Sequence, residues 1–139
     1  VVALMWGAED LVASMGGTAS RDARGHYRAV VQHARATVHL AAAARGKASI
    51  DAVHLDIADE AGLAEEAADA AALGFVATAC IHPSQVDIIR RAYAPTPERR
   101  AWAERVLAAA EGERGVFRLD GQMVDEPVLR HARGILARG

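Results

Sequence analysis

The chain has 139 residues, a formal net charge of −2 and 52% apolar residues, yet only 4% aromatic ones. This composition suits a soluble α/β chain whose helices pack through alanine, and it lacks the basic excess of a phosphate-tracking surface. No apolar run approaches the roughly 20 residues of a membrane helix, so neither nucleic acid nor membrane is expected as a partner.

Residues 1–6 form a continuous apolar run closed by Gly7, which predicts a buried strand. The run starts without an initiator methionine, so more chain is expected upstream of Val1, and no signal-peptide pattern is visible. A loop rich in Gly, Ser and Thr spans 14–22. Tyr27, Val30, Val31, Ala34 and Val38 then recur at helical spacing, with Gly46 as the stop. A second strand is predicted over 50–57 and a helix over 62–73. Leu63, Ala67, Ala70 and Ala71 face inward on that helix, Glu65, Glu66 and Asp69 outward, and Gly74 caps it. A third strand over 75–81 leads to a helix from Ser84 to about Tyr93.

The rhythm changes after that. Thr96 reads as an N-cap with Pro97 at the first helical position, and the helix should stop near Gly112. Trp102, Val106 and Leu107 share one of its sides. Residues 116–119 and 122–125 flank Asp120-Gly121, a strong hairpin signal. A last helix opens at Pro127 and carries Val128, Leu129, Ala132, Ile135 and Leu136. Three β-α units do not close a barrel, which needs about 250 residues. The expectation is an open α/β sheet or part of a barrel over 1–94, followed by an extension over 95–139.

Parallel α/β folds place their chemistry at the C-terminal ends of strands. Gly7-Ala8-Glu9-Asp10 ends the first strand, where Gly7 lets a ligand approach the backbone and neighbouring N–H groups can hold a carboxylate. On an extended chain Glu9 and Asp10 point opposite ways, so at most one of them serves a shared site; the plainer reading makes both solvated loop acids. His82, at the end of the third strand, is either an acid–base group or part of the turn that Pro83 sets. His26, His33 and His39 belong to the first long helix and read as surface residues, since no ligand set accompanies them. Asp59 reads as an N-cap, Asp56 can face the strand-end mouth, and Asp125 has a local capping explanation. Cys80 rules out an internal disulfide, fits a reducing cytoplasmic compartment and reads as a packed thiol.

Four segments change the weight of these signals. Leu4-Met5-Trp6-Gly7-Ala8-Glu9-Asp10-Leu11, Val53-His54-Leu55-Asp56-Ile57-Ala58-Asp59, Cys80-Ile81-His82-Pro83-Ser84-Gln85 and Asp120-Gly121-Gln122-Met123-Val124-Asp125-Glu126-Pro127-Val128 come in the order and spacing of the citrate lyase β-subunit-like family. The chain resembles that family over essentially its whole length. The resemblance implies the C-terminal part of a (β/α)8 barrel, about strands six to eight, with a helix and hairpin extension, in trimers or hexamers. It implies a Mg2+-dependent lyase acting between a CoA thioester and an oxo acid. Asp10 would bind Mg2+, backbone groups of Gly7, Ala8 and Glu9 would hold the oxo-acid carboxylate, and Asp125 would act as acid–base residue in a neighbouring subunit's site.

Two departures follow from the same resemblance. Ala77-Thr78 stands where many relatives carry Gly-Lys, and the family's second metal carboxylate and substrate arginine would lie upstream of Val1. Two other readings compete with the lyase: a CoA-independent class II pyruvate aldolase, and a non-catalytic interaction or regulatory fragment.

Overall fold

A computed structural model describes residues 1–113 and 115–138, in two compact units that divide after Tyr93. In the first unit, β1 (Ala3–Met5), β2 (Ala48–Asp51) and β3 (Ala77–Thr78) form a parallel sheet in the order β1-β2-β3. Ala3 pairs with Ala48, Met5 with Ile50, and Ile50 with Ala77. Helices α1 (Ala8–Ser14) and α2 (Ala29–Ala44) connect β1 to β2, α3 (Glu60–Leu73) connects β2 to β3, and α4 (Ser84–Tyr93) follows β3. Parallel neighbours need such crossovers, because a tight turn cannot reverse the chain twice.

The apolar pattern of α3 folds as its spacing predicts. Leu63, Ala67, Ala70 and Ala71 are buried. Asp59 caps the helix by accepting from the Gly62 N–H, and Gly74 ends it in the left-handed region at φ 107°. A side chain at Gly74 would be strained there. Leu63 and Ala67 pack with Ile88 and Ile89 of α4, while Trp6, Ala8, Val12, Val31 and Ala52 form a separate cluster with Tyr27 and Val38.

Several expectations are corrected. The second strand ends at Asp51 rather than running to 57. The Asp51 and Asp56 carboxylates take the Ala52 and Ala58 N–H groups, so local side chains claim donors that a longer ladder would use. The third strand is only Ala77–Thr78, since the Ile81 N–H is taken by the Gln85 side chain. His26 precedes α2, next to an Arg21–Tyr27 bridge, so it shares no helix face with His33. His39 is not a bare surface group: it stacks on Phe75 at 4.3 Å, with Nδ1 facing the Ser49 hydroxyl and Nε2 the Leu73 carbonyl. Cys80 is exposed rather than packed.

The second unit holds α5 (Pro97–Ala110), β4 (Phe117–Leu119), β5 (Gln122–Val124) and α6 (Glu126–Leu136). Thr96 caps α5 by accepting from the Arg99 N–H. Asp120 and Gly121 turn the hairpin with φ of 50° and 78°, the pair of positive values a two-residue type I′ turn requires. Ala103, Val106, Val124, Ala132 and Ile135 form its buried centre. No helix among the described residues is long and apolar enough to cross a membrane.

Candidate functional site

The site begins where β1 runs out. Trp6 is buried and donates its indole N–H to Asp51 at 2.8 Å. Asp51 also accepts from Arg35 of α2, with contacts of 2.6, 2.9 and 3.1 Å. Desolvation opposes the charge on Arg35, but hydrogen bonds to Asp51 and Asp69 outweigh it and raise its pKa. The end of β1 is thereby tied to β2 and α2 through side chains, and Gly7 follows in extended conformation.

Helix α1 starts at once, at Ala8. Glu9 and Asp10 therefore lie in its first turn, about 100° apart around the axis, and not on opposite sides of an extended chain as the sequence suggested. Acids are favoured in that position by the helix dipole. Their fates still diverge. Glu9 accepts from the hydroxyl of the buried Ser20, so its side chain is taken. Asp10 is exposed, and among the described residues no hydrogen bond or ion pair is assigned to its carboxylate. A Cβ on Gly7 would come 2.5 Å from Asp10 Oδ2. Glycine at position 7 thus keeps the space in which that carboxylate rests.

The other strand ends carry fewer free groups. His82 is exposed and its Nδ1 faces the Ser84 hydroxyl at 2.8 Å, the geometry of a turn that starts α4. Asp56 is exposed and accepts from the Ala58 N–H at 3.0 Å. Thr78 meets the Tyr93 hydroxyl of α4 at 2.9 Å. That position therefore faces the helix layer. Asp125 belongs to the second unit, where it caps α6 by accepting from the Val128 N–H at 3.2 Å.

Among the described residues no group of three or more His, Cys, Asp or Glu side chains converges. Mg2+ is commonly held by one or two carboxylates with waters and substrate oxygens completing the octahedron. Asp10 has the chemistry and the exposure to fit as one such ligand.

Sequence reasoning missed Ser20, Arg21, Glu66 and Gln85. Helical period places Glu66 outward, but its side chain is half-buried, pairs with Arg21 and contacts His54. Asp69 is exposed, as the helical period predicts, and pairs with Arg35 at 2.5 Å. A polar residue in an apolar context is the signal that could have found Gln85, which is 1% exposed.

Residues 1–83 match the family described as HpcH/HpaI aldolase/citrate lyase. The chain belongs to that family. It is 59% identical over 137 residues to a citrate lyase subunit beta-like protein of Mycobacterium tuberculosis, covering 99% of this chain and 50% of that one. It is 36% identical over 138 residues to the mitochondrial citramalyl-CoA lyase of Rattus norvegicus, covering 96% and 39% of the two chains. The crystal structure of the protein CitE from M. tuberculosis in complex with magnesium, acetoacetate and coenzyme A superposes with a TM-score of 0.90 and 59% identity. That match covers 99% of this chain and 51% of CitE. The chain thus spans between about two fifths and half of the length of these relatives.

Proposed function

We propose that these residues are strands six to eight and the C-terminal extension of a (β/α)8 barrel, residues 1–94 forming the barrel part. In this reading the full-length protein is a cytoplasmic Mg2+-dependent lyase. It cleaves a 3-hydroxyacyl-CoA of the citryl, malyl, citramalyl or hydroxymethylglutaryl type into acetyl-CoA and an oxo acid. The observation that carries this reading is the Asp10 carboxylate, exposed and unengaged beside Gly7 at the C-terminal end of β1. The magnesium, acetoacetate and coenzyme A bound by the similar CitE protein support it.

Asp10 would hold Mg2+, which when bound supplies Lewis-acid polarisation of the oxo-acid oxygens. The first N–H groups of α1 have no partner within the helix. Those of Ala8 and Glu9, with the close approach that Gly7 allows, would hold the carboxylate of the oxo acid. Ser20 keeps the Glu9 side chain out of that position. Asp125, from the extension of a neighbouring copy in a trimer or hexamer, would take the hydroxyl proton and return it to the departing thioester carbon. A carboxylate close to the reacting centre suits that shuttle.

A panel of CoA esters assayed with and without Mg2+ on the full-length protein tests the reaction class. Turnover of the free acid without CoA would favour the pyruvate aldolase instead. Asp10→Ala should lower turnover on the order of a thousandfold, since a Lewis acid contributes several kcal/mol. The 139-residue segment alone should be inactive. Oligomers mixed from Asp10→Ala and Asp125→Ala protomers should regain activity. Mixtures as inactive as both parents would remove Asp125 from the neighbour's site.

A further inference from the structure

The three strand ends of the first unit are joined by one run of polar contacts. Glu9, just past β1, accepts from the Ser20 hydroxyl. The next residue, Arg21, engages Glu66 of α3 through both guanidinium branches and lies 4.0 Å from the centre of the Tyr27 ring. Glu66 also faces His54 Nδ1 at 2.9 Å, just past β2. The His54 carbonyl accepts from the Gln85 amide at 2.9 Å, and Gln85 accepts from the Ile81 N–H at 3.0 Å, just past β3. Tyr27 closes the run by meeting the Trp6 ring edge-on at 5.6 Å.

Ser20, His54 and Gln85 are 3%, 4% and 1% exposed. Polar groups so placed are costly unless every partner is present, and no buried side-chain nitrogen or oxygen lacks one among the described residues. The two-branched contact of Arg21 adds orientation as well as attraction. Apolar side chains would fill the same volume without fixing direction.

We infer that Glu9 is a positioning residue, resting on the lyase reading above. Through Ser20 its carboxylate fastens the loop between α1 and α2 to the first turn of α1. Through Arg21, Glu66, His54 and Gln85 that turn is set against the other two strand ends. The Glu9 side chain touches neither ion nor substrate. It keeps the Asp10 carboxylate and the N–H groups of Ala8 and Glu9 aimed at one place. This accounts for a glutamate at a position whose proposed contact with substrate is made by the backbone.

The test uses Ser20→Ala, Glu9→Ala, Glu9→Gln and the Ser20→Ala/Glu9→Ala double variant of the full-length protein. Loss of a hydrogen bond to a charged group should raise the Mg2+ concentration for half-saturation and the KM about tenfold, with kcat changed less than about threefold. The double variant should be no worse than the poorer single one, because both remove one contact. Glu9→Gln keeps an oxygen that accepts from the Ser20 hydroxyl but not the charge, and should recover part of what Glu9→Ala loses. Hydrogen exchange over residues 7–12 should quicken in Ser20→Ala and less so in Glu9→Gln, whether or not the protein turns over substrate. Unchanged half-saturation and exchange in Ser20→Ala would overturn the inference. So would a Glu9→Gln variant as damaged as Asp10→Ala, which would make Glu9 a direct ligand. A parent protein inactive on every CoA ester would end the lyase reading, and exchange alone would then decide whether the contact positions the turn.

Discussion

The two units are held together by different physics. The buried polar side chains among the described residues are Ser20, Ser49, Asp51, His54 and Gln85, and all belong to the first unit. The centre of the second unit is alanine, valine and isoleucine, and its side-chain hydrogen bonds among the described residues include two helix caps and the exposed Arg133–Glu126 pair. Apolar burial is non-directional, whereas hydrogen bonds fix orientation. The unit that carries Asp10 uses the directional kind, and the extension that carries Asp125 builds a small apolar core around a capped helix.

Removing one partner of a buried pair should give the largest stability effect. Asp51→Ala leaves Arg35 and the Trp6 indole N–H without their shared acceptor and should cost about 3–5 kcal/mol in urea unfolding. Replacing Arg35 and Asp51 together by Met and Leu should cost much less; an equal loss would mean the pair contributes more than its geometry. In the second unit Ile135→Ala should cost about 2–3 kcal/mol from lost packing, seen as faster exchange in α5 and α6. A loss as large as that of Asp51→Ala would erase the contrast.

Asp125 separates cap from chemistry. Asp125→Ala should cost about 1 kcal/mol through the lost cap. Asp125→Asn keeps the cap and so should match the parent in stability while losing turnover. The smallest effect concerns Asp59, whose carboxyl the Gly62 N–H, with His54 beside it, holds below its usual range. A depressed carboxyl stabilises the fold above its unfolded pKa, roughly 3.9, and that contribution fades as pH falls through the lower folded value. Acid titration of the melting temperature should show this slope in the parent and not in Asp59→Asn. Identical slopes would remove Asp59 from the acid response.

Much of the fold was legible because its signals are local. Thr96 and Asp59 cap helices through N–H groups three residues away. Asp120-Gly121 sets its hairpin by backbone angles alone. The alanine face of α3 follows from helical period. Strand lengths were less legible, because acids at the end of β2 and beyond it compete for backbone donors only once the turn has formed. At the site, the sequence led to the expectation that at most one of Glu9 and Asp10 serves a shared site, but not to the physical difference between their side chains. That difference depends on Ser20, a residue that no periodicity marks.

Sequence alone determined the α/β alternation, the caps and the family membership, since each depends on residues within a few positions or on ordered motifs. Tertiary structure decided which polar side chains are spent on holding the strand ends. Arg21 meets Glu66 and Trp6 meets Asp51 across 45 residues, and Gln85 reaches His54 across 31. Such contacts exist only after the sheet has brought distant segments together, so no local pattern encodes them.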